Sequence, residues 1–314
     1  MPVYNAGEFL DESIPSILNQ TFTDFELIVI DDCSTDNSSP IIKRYADQNP
    51  RIVYIRNDKN VGNIATRNKA IERARGIYIA ELDGDDIALP SRLKLQYNYL
   101  ISHPDIVLIG GGAEIINNHG LTIGHKRPTE NFSLIKYKML FGNPFVHSAI
   151  FYKKNIIKEL GGYNPDYNHA EDYNLYSGLI HKGYGLGNVT ELIIKYRSHQ
   201  QSITAIPATR KIQMTTTYRI SHNNISEYIH VSENKIKMLI DTVHKLRTDL
   251  LSVLSTILFF KKLTRAFIIK ENLNNIEAGK IWKVYTSDFK KLLLGNYLKT
   301  KWPKLTEIIK RIRP

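Results

Sequence analysis

Three carboxylates crowd into the four positions Asp83–Asp86, which end the six-residue stretch Glu81–Asp86. The stretch follows the apolar run Ile77–Ala80, which predicts a buried strand, and Gly84 allows a sharp turn between the acids. Like charges this close repel one another unless a cation or hydrogen-bond donors offset them. One interpretation is a divalent metal with oxygen ligands; the other is a set of acids that caps a helix starting near Pro90. The stretch alone leaves both open.

A second acidic pair, Asp31 and Asp32, ends the largely apolar run Glu26–Ile30. Such a continuous run is typical of a parallel strand that is buried on both faces. Ligands of parallel sheets bind outside the carboxyl ends of the strands, and both acidic clusters fall at predicted strand ends. We therefore expect the clusters to face one edge of the sheet. This pattern favours a nucleotide-type ligand with a metal, although a glycine-rich phosphate loop is absent from the sequence.

Helices and strands alternate through the first two hundred residues. Helices are predicted over 8–20, from Ser38, over 63–75 and over 91–102, and strands over 26–30, 52–55, 77–82, 106–109, 146–152 and 192–196. This alternation predicts an α/β fold with a doubly wound, mostly parallel sheet. Gly110–Gly112 is interpreted as a flexible connection, followed by a hairpin around Asn118–Gly120. After about Pro207 the sequence predicts long helices without strands.

Two further acids, Glu171 and Asp172, fall in the first turn of a predicted helix. There they would compensate the helix dipole, which is the commoner role for such residues. A functional role stays open from the local sequence. His147 and His169 are either residues that line a binding site or, as is commoner, ordinary core or surface histidines.

The net charge of +11 is unevenly distributed. Residues 205–314 hold 21 Lys and Arg against 8 Asp and Glu, whereas the preceding residues are slightly acidic. A basic segment binds anionic lipid, acidic substrate or nucleic acid, but no nucleic-acid motif accompanies it. The apolar run Leu250–Phe260 is too short to span a bilayer, so a packed or interfacial helix is expected. The single cysteine, Cys33, excludes an internal disulfide and indicates a reducing, cytoplasmic compartment.

Taken in order, the motifs of residues 1 to about 203 make the chain resemble the family 2 glycosyltransferases, which have the Rossmann-like GT-A fold. The matching segments are Pro2–Asn5, Val29–Asp36, Asn60–Gly62 with Arg67–Asn68, Gly76–Asp86, Gly161–Tyr163, Glu171–Asp172 and Tyr196–His199. The resemblance implies an enzyme that transfers a sugar from a nucleotide-diphosphate sugar to an acceptor hydroxyl with inversion.

The resemblance also implies roles on the donor side. Asp83 would lie near the ribose, and Arg67 would help to hold the nucleotide. Tyr4 would bind the nucleotide sugar, and Asp31 or Asp32 would bind the nucleobase side.

Further roles follow for the metal and for catalysis. Asp85 would be a ligand of Mn2+ or Mg2+ in the DxD-type motif, with His199 as a candidate second ligand. Arg197 would contact the diphosphate. Asp172 would be the catalytic base that takes the proton of the acceptor hydroxyl.

The resemblance predicts a GT-A domain over residues 1–205 and a basic, mainly helical region over 206–314. The family's first strand is expected to be missing, which suggests a start assigned too late or a truncated copy. No Gln-x-x-Arg-Trp motif is present, so single sugar addition in cell-surface polysaccharide (O-antigen, capsule or lipopolysaccharide) biosynthesis is favoured over processive synthesis. A glycan or lipid-linked acceptor and a peripheral position at the inner membrane face are expected. The alternatives are an inactive nucleotide-sugar-binding homologue and a nucleotidyltransferase.

Overall fold

The computed structural model describes residues 1–198, 207–243 and 250–294. They divide into two compact units: Met1–Ile135 with Asn143–Thr216, and Lys136–Gly142 with the residues from Thr217 onward. The domain boundary predicted between residues 205 and 206 lies outside the described residues.

The first unit begins with a small, fully parallel sheet. Its strands are β1 (Pro2–Val3), β2 (Leu27–Asp31) and β3 (Ile52–Arg56), paired in that order. Helices α1 (Leu10–Leu18), α2 (Ser38–Gln48) and α3 (Asn63–Arg73) alternate with them. All five residues of β2 are buried, as its continuous apolar run predicts. The short β1 is formed by the first residues of the Pro2–Asn5 motif and pairs with β2.

A second sheet completes the first unit. Its strands are β4 (Tyr78–Ala80), β5 (Ile87–Ala88), β6 (Ile106–Ile116), β7 (Thr122–Lys126), β8 (Phe151–Lys153) and β9 (Gly185–Arg197), in the order β4-β8-β6-β9-β5 with β7 beside β6. Only β6 and β9 run parallel; the other pairs are antiparallel. The accompanying helices are α4 (Arg92–Ser102), α5 (Phe132–Lys138), α6 (Lys154–Glu159) and α7 (Glu171–His181). The α/β class is confirmed.

Two local predictions are wrong. The glycines 110–112 are not a flexible connection but lie inside β6, where they are buried. A Cβ at Gly111 would lie 2.4 Å from the side chain of Ile193, so glycine allows β9 to pack closely there. The strand predicted over 146–152 is shorter, because His147–Ala149 form a 3₁₀ turn before β8. The hairpin around Asn118–Gly120 is confirmed, with the Asn117 N–H donating to the Leu121 carbonyl at 2.9 Å.

One apolar core joins the two sheets. Val29 of β2, Ile109 of β6 and Ile193 of β9 belong to the same cluster of buried side chains and are fully buried. Each such side chain stabilises the fold by about 1.5–3 kcal/mol relative to an exposed one. The site residues at the strand ends therefore rest on a continuous packed base.

The second unit is helical. It contains the second half of α8 (Pro207–Ser226), together with α9 (Glu233–Val243), α10 (Leu250–Lys270) and α11 (Asn275–Leu294). The segment 136–142 packs among these helices: Tyr137 shares a 2.8 Å hydrogen bond with Thr264, and Asn224 Nδ2 donates to the Met139 carbonyl at 2.7 Å. The predicted long helices are confirmed. In the described parts of the chain, no helix combines the length and the apolar character needed to cross a membrane.

Candidate active site

The loop after β1 brings the two acidic clusters to one edge of the first unit. On one side the backbone N–H groups of Asn5 and Ala6 donate to the side chains of Ser34 and Ser38, each at 3.0 Å. On the other side the loop packs on the acidic turn, where a Cβ at Gly84 would lie 3.4 Å from that of Ala6. The neighbouring Tyr4 ring is 51% exposed at this edge.

Asp31 is fully buried and held by the loop that follows it. Its carboxylate accepts hydrogen bonds from the Ser34 N–H at 2.8 Å, from the Ser39 hydroxyl, and from Arg56 Nε at 3.3 Å. Burial alone would raise the pKa of Asp31, but the hydrogen bonds from Ser34 and Ser39 hold that pKa below its usual value. Asp31 is therefore an ionised anchor for the turn after β2.

Asp32 anchors the opposite loop. Its buried carboxylate accepts from Asn57 Nδ2 at 2.8 Å and from the N–H groups of Val61 and Gly62 at 2.9 and 2.8 Å. Gly62 has a φ of 86°, which favours glycine at this contact. The carboxylates of the two candidate nucleobase ligands are thus both engaged within the protein, where they hold the turn after β2 and the Val61–Gly62 loop.

Arg67 forms the charged centre of the site. This side chain of α3 is 3% exposed and contacts the carboxylates of Glu81, at 3.0 Å, and of Asp83. Burial would lower the pKa of Arg67, but Asp83 and Glu81 raise it above its usual value. Conversely, burial would raise the pKa values of Glu81 and Asp83, and the Arg67 charge lowers both. All three groups are therefore charged at neutral pH.

The rest of the acidic turn carries an excess of negative charge. Asp86 accepts the Arg197 backbone N–H at 2.7 Å, while its buried Oδ2 has no hydrogen-bond partner among the described residues. Burial, Asp85 and Asp83 together raise the pKa of Asp86 well above its usual value. A divalent cation would offset this repulsion, and carboxylate oxygens are the ligands that Mg2+ and Mn2+ prefer. The donor chemistry of the turn therefore fits such a cation.

The described residues around the turn do not form a complete cluster of metal ligands. Within residues 1–198, 207–243 and 250–294, no three acidic, histidine or cysteine side chains are grouped so that they would hold a metal ion. The second predicted ligand, His199, lies outside these ranges, so Asp85 is the predicted ligand whose surroundings are described.

Arg197 supports the acidic turn from within the protein. Its side chain is fully buried, and Nε donates to the Asp85 carbonyl at 2.9 Å. Nη1 donates to the carbonyls of Asn117 and Asn118, and Nη2 contacts Glu12 at 3.1 Å. Because every guanidinium nitrogen is engaged in the fold, this arrangement differs from the diphosphate contact that the resemblance implies. The Arg197 side chain thus links the acidic turn, at the Asp85 carbonyl, to the β6–β7 hairpin, at the Asn117 and Asn118 carbonyls.

Asp172 lies in the first turn of α7, as predicted from the sequence. Asn143 Nδ2 donates to its Oδ2 at 2.6 Å, and His147 Nδ1 lies 3.9 Å from the same oxygen. His147 Nδ1 is also 3.0 Å from the Tyr176 hydroxyl. Burial and the Arg67 charge lower the pKa of His147 below its usual value, so the imidazole is neutral at pH 7.

The segment Asn143–Ser148 joins the two halves of the site, and sequence reasoning missed it. Asn143 contacts Asp172 at one end, while at the other end the Asp83 N–H donates to the Ser148 hydroxyl at 3.1 Å. His147, between them, interacts electrostatically with Asp172, Glu81 and Asp83. The only local signal was the Asn-Pro pair, which is typical of a turn. Asp172 and the acidic turn thus belong to one site.

Comparisons with known proteins identify the family of the chain. The sequence model described as "Glycosyl transferase family 2" matches residues 1–161. An uncharacterized glycosyltransferase of Methanocaldococcus jannaschii is 38% identical over 200 residues, covering 63% of this chain and 69% of that protein. The O-antigen biosynthesis glycosyltransferase WbnJ of Escherichia coli is 33% identical over 210 residues, covering 64% and 79%.

A solved structure shares the fold. The crystal structure of S. aureus TarS residues 1–349 in complex with UDP-GlcNAc superposes with a TM-score of 0.59 and 16% identity, covering 93% of this chain and 88% of that one.

Proposed function

The chain belongs to glycosyl transferase family 2 and is a glycosyltransferase, and on that premise we propose that it moves a sugar from a nucleotide-diphosphate sugar to an acceptor hydroxyl with inversion. One observation carries this proposal. The segment Asn143–Ser148 is hydrogen-bonded to the Asp172 carboxylate and to the Asp83 backbone N–H, which supports a single site for the proposed base and the proposed donor-side residue. Two such groups facing one sugar are what a single displacement requires.

On the donor side, the exposed Tyr4 ring contacts the nucleobase, and Asp83 binds the ribose. Arg67 keeps Asp83 ionised and fixes its orientation through the direct contact between them. Asp32 acts indirectly, because its carboxylate holds the Val61–Gly62 loop through two backbone N–H groups. This assignment keeps the nucleotide role of Asp32 but makes it indirect.

We assign the metal to Asp85. A bound Mn2+ or Mg2+ neutralises negative charge that develops on the departing diphosphate. Arg197 fixes the backbone carbonyl of Asp85, which holds this residue in place for ligation. His199 stays the second predicted ligand.

Asp172 is the proposed base. The acceptor oxygen attacks the anomeric carbon, the bond from that carbon to the diphosphate breaks, and the hydroxyl proton passes to the Asp172 carboxylate. Inversion follows because attack and departure occur on opposite faces of the sugar.

Two variants and a control test the proposal. We expect Asp172→Asn and Asp85→Ala to abolish transfer while the melting temperature stays near that of the wild type. Asp47→Asn, on the exposed face of α2, is the matched control and should retain full turnover. A thermal-shift screen of nucleotide sugars with and without Mn2+ identifies the donor, because a ligand that binds only the folded state raises the melting temperature. Near wild-type turnover in Asp172→Asn would refute the assigned base.

The proposed setting is cell-surface polysaccharide biosynthesis. The relative WbnJ is named for O-antigen biosynthesis, and a lipid-linked acceptor suits the basic helical region. We place the enzyme at the cytoplasmic face of the membrane, in keeping with its single cysteine.

A stripe along α10 supports membrane association. Leu258 and Ile269 are 68% and 78% exposed, and Lys262 and Arg265 are exposed between them. The spacing of four, three and four residues places all four on one face of the helix. Basic and apolar side chains combined on one exposed face favour an anionic lipid surface.

Vesicle co-sedimentation of the full chain tests this association. We expect binding to vesicles that contain phosphatidylglycerol, with a loss in the double variants Leu258→Asp/Ile269→Asp and Lys262→Glu/Arg265→Glu. Ile101→Asp, a substitution of an exposed isoleucine in the first unit, controls for the general loss of an apolar side chain. Equal binding of all variants would exclude this stripe as the contact.

A further inference from the structure

We propose that Asn143 is a positioning residue that fixes the carboxylate of Asp172 for proton abstraction. The inference rests on the proposed function, since it assigns a task to a neighbour of the proposed base. Asn143 is about 29 residues away from Asp172 along the chain and belongs to no motif of the sequence analysis. Its contacts, however, determine how that carboxylate lies.

The amide of Asn143 has one orientation available. Its Oδ1 accepts the backbone N–H of Phe145 at 3.0 Å, two residues further along, which forms an Asx turn. The NH2 group must then face the other way, where Nδ2 donates to Asp172 Oδ2 at 2.6 Å. A donor whose direction is set by its own turn is a rigid support for a carboxylate.

Both ends of this contact are packed together. The ring of Phe145 is buried and meets the ring of Tyr176 edge-on, with centroids 5.6 Å apart. Tyr176 is on α7, the helix that carries Asp172. The turn of Asn143 therefore packs on the same helix as the side chain that it orients.

The remaining surroundings of Asp172 leave little freedom for rotation. Its Oδ1 accepts the Tyr173 N–H at 2.6 Å, and His147 Nδ1 lies 3.9 Å from Oδ2 on another side. Among the described residues, Asn143 is the one whose side chain donates a hydrogen bond to the Asp172 carboxylate. Without Asn143, the carboxylate loses its side-chain donor, and rotation away from the acceptor becomes available.

The chain contains a matched control in Asn164. Its Oδ1 also accepts the N–H two residues further along, from Asp166 at 2.9 Å, and a proline follows it, as Pro144 follows Asn143. The hydrogen bonds of Asn164 within the described residues stay inside its own turn. Asn164→Ala removes an Asx turn and Asn164→Asp keeps one, and neither substitution touches Asp172.

The experiment compares alanine and aspartate at both positions in the full chain. We expect Asn143→Ala to lower kcat about 100-fold, the order expected when a reacting group is misplaced by about 1 Å. The KM for the nucleotide sugar should stay within about threefold, because the donor side is untouched. Asn143→Asp keeps the turn but replaces the donor with a second carboxylate, so we expect a larger loss. Asn164→Ala and Asn164→Asp should keep the wild-type kcat.

Several results would overturn the inference. A kcat for Asn143→Ala within about threefold of the wild type removes the positioning role. Equal losses at positions 143 and 164, or a parallel rise in the donor KM, indicate a structural role only. If Asn143→Ala does not fold, Asn143→Asp decides, since it retains the turn. If Asp172→Asn is inactive but Asn143→Asp has the wild-type kcat, this inference is refuted and the proposed base is not. If Asp172→Asn retains turnover, the proposed base itself is refuted.

Discussion

Replacing Arg67 by Gln would remove the positive charge between Glu81 and Asp83. Arg67 and Glu81 are 3% and 7% exposed, and Asp83 is 31% exposed. Breaking a buried ion pair by removing one partner costs about 3–5 kcal/mol, because a buried charge is left uncompensated. The partial exposure of Asp83 places the expected loss at the lower end, about 3 kcal/mol. For a domain of this size the melting temperature would fall by roughly 6–12 °C.

The loss of stability in Arg67→Gln should depend on pH. Arg67 lowers the pKa values of Glu81 and Asp83, so in the wild type their contribution to stability is present above the unfolded pKa values and is lost as pH falls. In Arg67→Gln, burial dominates and raises both pKa values, so protonation on acidification relieves the uncompensated charge. The difference in melting temperature between the wild type and Arg67→Gln should therefore become smaller as the pH falls from about 7 to about 5.

Scanning calorimetry of both proteins over this pH range is the assay. Arg75→Gln is the matched control, since the Arg75 side chain in its ion pair with Glu26 is 82% exposed and surface pairs contribute about 0–1 kcal/mol. A melting temperature of Arg67→Gln equal to that of Arg75→Gln, or a difference from the wild type that does not change with pH, would refute the reasoning.

Three further substitutions test other features of the site. Cys33 has a φ of 62°, so Cys33→Gly should stabilise the protein by about 1 kcal/mol, and a lower melting temperature would contradict this. Gly162 has a φ of 73°, and a Cβ there would lie 2.6 Å from the side chain of Asn68, so Gly162→Ala should destabilise it by more than about 1 kcal/mol. Arg197→Lys loses the fork that holds the Asp85 carbonyl, so the Mn2+ concentration for half-maximal turnover should rise about tenfold or more; unchanged metal dependence would argue against this support.

Local patterns predicted the elements that carry the site. The apolar run before Asp31 and Asp32 predicted β2, because a strand buried on both faces needs apolar residues at every position. Glu171 was predicted to start a helix, and α7 begins at that residue. These features depend on neighbours within a few positions along the chain. The two acidic clusters were expected at one edge of a single sheet, but β2 and β4 belong to separate sheets, and it is the loop after β1 that contacts both clusters.

Contacts between distant segments were not predictable in this way. Tyr78 of β4 pairs with Lys153 of β8, and no local pattern states which strand a short strand will join or in which direction. From the sequence, Asn143 is predicted only to be a turn residue, and its hydrogen bond to Asp172 is visible only in the folded structure. The same holds for the internal partners of Asp32, which the sequence shows only as scattered loop residues.

The path of the chain through its two units affects how the protein can be divided. Residues 136–142 leave the first unit, pack among the C-terminal helices and return at Asn143. Tyr137, Met139 and Leu140 are each 2% exposed there. A shortened protein that ends near residue 216 would uncover these side chains, which shortly precede Asn143 in the chain. The C-terminal helices should therefore be kept in any version of the protein made for crystallisation or assay, because their removal would expose an apolar surface on residues 136–142.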